Sequence, residues 1–256
     1  MLGKVRSLTT FIHMITTEVR LQTVKSTMEE AKALADAQDF LLVTAEEQTH
    51  GKGTRGRTWV GLPGNIYMTV GIHRRHLPAE RVALLPLEVG LHVWEEAAAR
   101  ISPTLRNQLR LKWPNDLMFQ NTKIAGLLME SHGSFLLVGL GVNVVGAPTI
   151  TDGGHPGGCL KDAGMPVEDK AAFIEGIYRR IQAASPVSTA TNAISNYDAE
   201  GTLLDWQGKI DWSRTHRLRD REGQPSVKPL SVNQQGHLQV MHTNGSREWL
   251  VADYLV

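Results

Sequence analysis

Gly51-Lys52-Gly53-Thr54-Arg55-Gly56-Arg57 crowds three glycines and three cations into seven residues and closes on Trp59. With no side chain at the glycines, backbone N–H groups can come close to an anion while the guanidinium groups neutralise it. A phosphate or an acyl adenylate suits such a loop; so does plain solvation at the surface, and the residues alone leave both readings open. It is not a Walker A motif, because Glu46 stands where the first glycine belongs and no Ser or Thr follows Lys52.

Three further segments carry chemistry. In Lys112-Trp113-Pro114-Asn115-Asp116 the Trp-Pro pair predicts an extended exit from a strand, leaving Asn115 and Asp116 on a rigid turn. That amide and carboxylate could hold Mg²⁺ or take a proton from an amine, and Lys112 could meet a phosphate; an Asx turn beside a core tryptophan is the plainer alternative. Lys123-Ile124-Ala125-Gly126-Leu127-Leu128-Met129-Glu130 sets a lysine at the mouth of an apolar strand, with Gly126 open to close approach. A desolvated ammonium there can neutralise a carboxylate as it becomes an acyl phosphate, whereas the bland reading is an ordinary strand-start lysine. Gly139-Leu140-Gly141-Val142-Asn143 fails as a dinucleotide fingerprint: the third glycine would be position 144, which is Val144, and no helix pattern follows. Two glycines and an amide at a strand end still offer a nucleotide a seat.

The elements that must position these segments are legible in part. Ser26-Thr27 ahead of Glu29 and Glu30 predicts a helix start, with Met28, Ala31, Leu34 and Ala35 on one face. Phe40–Val43 and Asn65–Ile72 predict strands, and residues 81–100 a helix that Pro86 should kink or delay. The centre is strand-rich at 109–112, 123–130 and 135–145, residues 149–158 must be loop, and 169–181 predicts a helix. Residues 186–201 read as a linker. Beyond Gly208 only strand signals follow, including Asn244-Gly245 as a type I′ hairpin turn.

Composition bounds the function. The 256 residues predict one large domain, or one with a small partner. A net charge of +1, from 27 Lys and Arg against 26 Asp and Glu, supplies no field for coating nucleic acid. Cys159 is the sole cysteine, which excludes an internal disulfide and a thiolate zinc site and fits a reducing compartment. No stretch approaches the ~20 apolar residues of a membrane helix. Residues 1–20 carry Lys4, Arg6 and Arg20 against one acid, Glu18, so an organellar transit segment stays open beside an extended arm in a cytoplasmic protein.

Taken together, the four chemical segments resemble the biotin protein ligases, also called biotin–acetyl-CoA-carboxylase ligases or holocarboxylase synthetases. The order and spacing match over about residues 20–185, and Ser26-Thr27-Met28 and Gln48 resemble that family's ureido-binding segment and pre-loop glutamine. The resemblance implies an α+β architecture: a mixed-sheet catalytic domain over 21–200 after an arm at 1–20, then a small SH3-like β-barrel domain over 201–256. It implies ATP with Mg²⁺, biotin as substrate, a biotinyl-5′-AMP intermediate, and transfer to a lysine of a biotin carboxyl carrier domain. Members occur as monomers and as homodimers, and either is open here. The twenty-odd residues before Ser26 are too few for a DNA-binding helix-turn-helix, so a ligase without a repressor role is expected.

Carried over residue by residue, Ser26, Thr27, Met28, Gln48, Gly51, Lys52, Gly53, Thr54, Lys123 and Gly126 are expected around biotin. Arg55, Arg57, Trp59, Asn115, Gly141 and Asn143 are expected on the nucleotide side, with Asn115 and Asp116 as candidate Mg²⁺ ligands. Lys123, Lys112, Asp116 and Arg55 form the expected catalytic set, Asp116 as the group that receives the acceptor lysine's proton. Lys52 and Thr54 depart from the family's usual arginines, which puts the grip of this loop on the adenylate in doubt. The rivals are a lipoate-type ligase of the same architecture and a non-catalytic adaptor presenting Trp206, Trp212 and Trp249. The histidines show no metal-ligand spacing.

Overall fold

The computed structural model describes residues 5–11, 14–149, 155–185, 197–251 and 255. Strands β1 (Val5–Phe11) and β2 (Met14–Val24) lead into helix α1 (Thr27–Leu34) and strand β3 (Phe40–Gln48). Two short strands, β4 (Gly51–Lys52) and β5 (Thr58–Trp59), bracket the cationic loop, and β6 (Ile66–His73) and helix α2 (Ala79–Arg100) follow. Then come β7 (Leu109–Lys112), β8 (Asp116–Phe119), β9 (Thr122–His132), β10 (Phe135–Val142) and the helices α3 (Lys170–Ala183) and α4 (Ala199–Gln207). The tail holds β11 (His216–Arg217), β12 (Ser226–Val232), β13 (Leu238–His242) and β14 (Arg247–Leu250).

The eight long central strands form one mixed sheet, ordered β1-β2-β3-β6-β10-β9-β8-β7, in which only β2 and β3 run parallel. Side chains alternate between its faces. Phe40, Leu42, Met68, Val70, Leu136 and Val138 turn to one face and join the apolar residues of α2 and α3. Leu41, Val43, Phe135 and Leu137 turn to the other, where Met28 and Ala31 of α1 meet them. The sheet is therefore buried on both faces at its centre, and β6 is buried along nearly its whole length rather than half-solvated as an alternating strand would be.

The tail forms a four-stranded antiparallel sheet, β11-β12-β13-β14, and Leu255 bridges back to Leu218. It does not have a core of its own: Val227, Leu238, Val240 and Leu250 belong to the same apolar cluster as α2 and the large sheet, joined through Leu203 and Trp206 of α4. Among the described residues no helix is long and apolar enough to cross a membrane.

Several sequence expectations need correction. Pro86 does not delay helix α2, which begins at Ala79 and carries the proline inside it. Residues 197–201 of the expected linker include Asp198, which caps α4 by accepting from Gly201 N–H; the rest of that linker, 186–196, lies outside the described residues. β2 runs across positions 20–21 and α4 across positions 200–201. Trp113 and Pro114 do not leave β7 extended, since the chain turns there through a cis Trp113–Pro114 bond into β8. The hairpin at Asn244-Gly245 exists, but only Gly245 has a positive φ (83°), and its N–H donates to His242 O at 2.9 Å. A type I′ turn needs both central residues left-handed, so this is a type I turn followed by a left-handed glycine.

Candidate active site

Strand register brings the chemical segments together. Asp116 pairs with Gly126, Gly126 with Gly141 and Gly141 with Tyr67, making one row across four strands; Leu128, Gly139 and Thr69 make the next. Directly opposed residues share a face, and this is the face that α1 covers. Glycines at 126, 139 and 141 leave a floor without side chains. A Cβ at Gly141 would come within 2.4 Å of Trp59 Cε2, and one at Gly126 within 3.0 Å of both Lys123 Nζ and Trp59 Cζ3. The Trp59 indole thus lies directly on the floor, and a cavity of about 350 Å³ opens between it, α1 and the cationic loop.

One end of the cavity is furnished with neutral polar groups. Ser26 caps α1 in position only, making no capping hydrogen bond; Gln48 does that task instead, its Oε1 accepting from Thr27 N–H at 2.9 Å and from Thr27 Oγ1 at 3.2 Å. The Thr69 hydroxyl donates to Thr27 Oγ1 at 2.9 Å, so a fully buried threonine of β6 completes the chain. Thr69 escaped the sequence reading. Its signal was a single threonine in the otherwise apolar and aromatic run Ile66–Ile72.

The other end is charged. Lys123 Nζ lies 2.6 Å from Asp116 Oδ1 and Lys112 Nζ 3.3 Å from Asp116 Oδ2. Burial alone would disfavour the Asp116 carboxylate, yet the charges of Lys123 and Lys112 outweigh it and hold the group below the usual carboxylate range. Burial pushes Lys112 the other way, down to about 8, against the pull of Asp116. Lys123 lines the cavity, whereas Asp116 and Lys112 stand behind it. Lys123 Nζ also sits 5.6 Å from the Trp59 ring centroid, within cation–π range.

Above the floor, each loop cation has a partner. Lys52 Nζ pairs with Glu29 Oε1 of α1 at 2.6 Å, Arg55 pairs with Asp220 of the tail, and Arg57 donates to Thr54 Oγ1 at 2.9 Å. Arg55 has a left-handed backbone (φ 59°) at the loop tip. Lys52, Gly53, Thr54 and Arg57 line the cavity together with Ser26, Thr27, Met28, Gln48, Trp59, Asn115, Gly126 and Gly141. Arg55, Gly51 and Asn143 do not. Gly51 is packed against Gln48 and Trp59, where a Cβ would come within 2.5 Å of Gln48 Nε2. Asn143 is buried behind the floor, accepting from Asn65 Nδ2 at 3.3 Å and donating to Lys123 O at 3.4 Å. Asn65, another residue the sequence reading missed, accepts from Val144 and Val145 N–H and fixes the turn that ends β10.

The expected metal pair does not fit a protein-held divalent cation. Both Asp116 oxygens face ammonium groups, and Asn115 Nδ2 donates to Leu127 O at 2.5 Å, leaving one amide oxygen. The same arrangement disfavours Asp116 as the group that takes the acceptor amine's proton, because a carboxylate stabilised by two cations is a weak base. Among the described residues no cluster of three His, Cys, Asp or Glu side chains forms a metal site.

The model of the biotin/lipoate A/B protein ligase family matches residues 19–144, the stretch that holds the loop, the floor and the lysine pair. The chain belongs to that family. Among relatives of this ligase family member, it is 32% identical over 146 residues to the biotin–[acetyl-CoA-carboxylase] ligase of Mycobacterium tuberculosis, covering 57% of this chain and 54% of that one. It is 39% identical over 111 residues to the enzyme of the same description from Paracoccus denitrificans, covering 41% and 45%. The chain thus spans about half the length of the curated relatives it matches. The biotin protein ligase of Leishmania major, solved in complex with biotinyl-5-AMP, superposes with a TM-score of 0.66 at 29% identity, over 92% of this chain and 98% of that one. The α+β fold of the ligase family, mixed sheet and small C-terminal antiparallel sheet together, is the fold seen here.

Proposed function

We propose that this chain activates biotin with ATP as biotinyl-5′-AMP and transfers the biotinyl group to a lysine of a biotin carboxyl carrier domain. The observation that carries the reading is the polarity of the cavity: a neutral hydrogen-bonding array at Ser26, Thr27, Gln48 and Thr69, an apolar glycine floor, then Lys123 backed by Asp116 and Lys112. A bicyclic urea, an alkyl chain and a carboxylate follow each other in that order along biotin. Lipoic acid has a dithiolane in place of the urea and could not exchange hydrogen bonds with this array, so it would forfeit the interactions that the array offers a urea.

In the first step a biotin carboxylate oxygen attacks the α-phosphorus of ATP and pyrophosphate leaves. Lys123 supports the charge that moves from carboxylate to phosphate, and Asp116 holds that ammonium in place. The loop residues Lys52 and Arg57 supply further donors above the cavity. In the second step the acceptor amine attacks the carbonyl carbon of the mixed anhydride, AMP leaves, and the ammonium nitrogen gives up its proton as the amide forms. Asp116, held by two cations, and Lys112, which at about 8 is still an ammonium at pH 7 and stands behind the cavity, are both poor acceptors for that proton, which passes to solvent or to the departing phosphate. Mg²⁺ enters this reading only as the counter-ion of the triphosphate.

The test is ATP–pyrophosphate exchange with purified chain, with biotin or lipoate as the acid, followed by an avidin blot after adding a carrier domain. Exchange driven by biotin and not by lipoate, with a labelled carrier, is the expected result. Exchange driven by lipoate, or none with either acid, overturns it.

A further inference from the structure

The segment after β10 returns to the cavity at His155, and its backbone there is pinned. Lys123 N–H donates to Pro156 O at 2.8 Å and Gly158 N–H donates to Lys123 O at 3.0 Å, a parallel bridge along the start of β9. Gly158 is required for this approach, because a Cβ would collide with Thr122. The His155 ring is thereby set into the cavity wall beside Lys123. Its Nε2 is buried and has no hydrogen-bond partner among the described residues. A buried ring nitrogen without a partner is a costly thing to keep, and His155 belongs to the wall of the cavity in which a ligand could satisfy it.

The surroundings say what kind of ligand. Lys112, Arg214, Asp116 and Lys123 are the charged groups that act on His155, three cations against one carboxylate. Arg214 comes from the tail, and His216, 5% exposed, feels the charges of Lys112 and Arg214 from that side. Burial, then Lys112 and Arg214, push His155 down to about 4, so at neutral pH the imidazole carries one N–H and no charge. An excess of positive charge calls for an anion with several oxygens. The urea end of biotin is served at the opposite end of the cavity, and under the reading above its carboxylate meets Lys123. The oxygens left to face His155 are those of the nucleotide.

We propose that His155 is a nucleotide-binding residue of this site, its Nε2–H donating to an α-phosphate oxygen of the acyl adenylate. The assignment rests on the biotin–ATP reading and deepens it, by adding a neutral donor among the cations.

The experiment uses the full chain and the non-hydrolysable analogue biotinol-5′-AMP, titrated calorimetrically beside biotin alone. His155→Phe keeps an aromatic ring and removes both nitrogens; His155→Gln restores a donor, and His155→Ala is read in parallel should the phenyl ring prevent folding. Loss of about tenfold in analogue affinity, with biotin affinity within about twofold of wild type, is expected for His155→Phe or His155→Ala, the size of one hydrogen bond to a charged group. His155→Gln should recover most of that loss, and in exchange assays KM for ATP should rise while KM for biotin holds. Analogue binding equal to wild type in the nitrogen-free variant overturns the proposal, and so does an equal loss of biotin binding. A wild-type chain that binds neither ligand removes the functional reading and this assignment with it; a wild type that binds both, with a silent variant, removes this assignment alone.

Discussion

Asp116 and Lys123 are joined by a 2.6 Å ion pair between adjacent strands, with Lys112 closing the other side of the same carboxylate at 3.3 Å. Lys112 and Asp116 face each other across the β7–β8 pairing, and Asp116 sits opposite Gly126, three residues on from Lys123 in β9. The β7–β8 pairing and the register shift between Leu117 and Met118 in the β8–β9 pairing, which sets Lys123 opposite Met118, put two ammonium groups on one anion. The carboxylate keeps both cations near the reacting carboxyl without letting them repel each other apart.

Asp116→Asn should therefore damage both stability and adenylation. Removing the shared anion leaves two neighbouring ammonium groups, one of them buried, and costs about 3 kcal/mol in urea denaturation. The folded-state pKa of Asp116 is lowered, so its contribution is full above the unfolded value near ~3.9 and is lost as pH falls through the folded value. Wild type should show an acid limb that Asp116→Asn lacks. Equal stability of the two proteins at pH 7 would contradict the account.

Lys112 gives the opposite limb. Its pKa falls to about 8 in the folded protein, against ~10.4 in the unfolded chain. Between those values the unfolded state holds a proton that the folded state has shed, so stability rises with pH across that window. Lys112→Met should flatten the rise. In exchange kinetics KM for ATP should climb above pH 8 in wild type as the ammonium deprotonates, and Lys112→Arg should abolish that climb.

Gly141→Ala tests the floor. The added methyl would overlap the Trp59 ring, forcing the indole off the sheet where biotin and nucleotide meet. Exchange activity should fall about a hundredfold, as for a misplacement of reacting groups of about 1 Å, with a small change in thermal midpoint, since Trp59 can move toward solvent.

Asp220→Asn tests the link between loop and tail. The Arg55–Asp220 pair is more than a third exposed on both sides, so stability should change by less than ~0.5 kcal/mol. Arg55 would no longer be held to the tail and becomes available to the nucleotide; KM for ATP should drop two- to threefold at low salt, with the difference fading as ionic strength rises.

The parts of this site that could be read from the chain were the local ones. Gly51–Arg57, Lys123 and the 139–141 glycines announced themselves because glycine and charge are rare together in a strand-rich core. Asn65, Thr69 and His155 did not, since each acts through partners far away in sequence: Asn65 through Val144 and Val145, Thr69 through Thr27, His155 through the pairing of Pro156 with Lys123. Asp116, Lys112 and Lys123 were each legible as reactive, but the cross-strand pairing that joins the three was not, so Asp116 read as a base and not as the partner of two cations. Helix α4 was missed for a physical reason: nine residues with Leu203 and Trp206 buried make too brief a periodicity, and packing against α2 stabilises it.

Trp113 Nε1 donates to Gly236 O at 2.8 Å, across 123 positions of chain. The turn that carries Asn115 and Asp116 is thus latched by a residue of the tail whose own φ of 76° favours glycine. Selection on the chemistry is consequently felt at position 236. Grafting a foreign tail onto this sheet would remove that latch along with the tail's share of the common apolar core, and suppressors of damage at Asp116 are to be sought near Asn233 and Gly236.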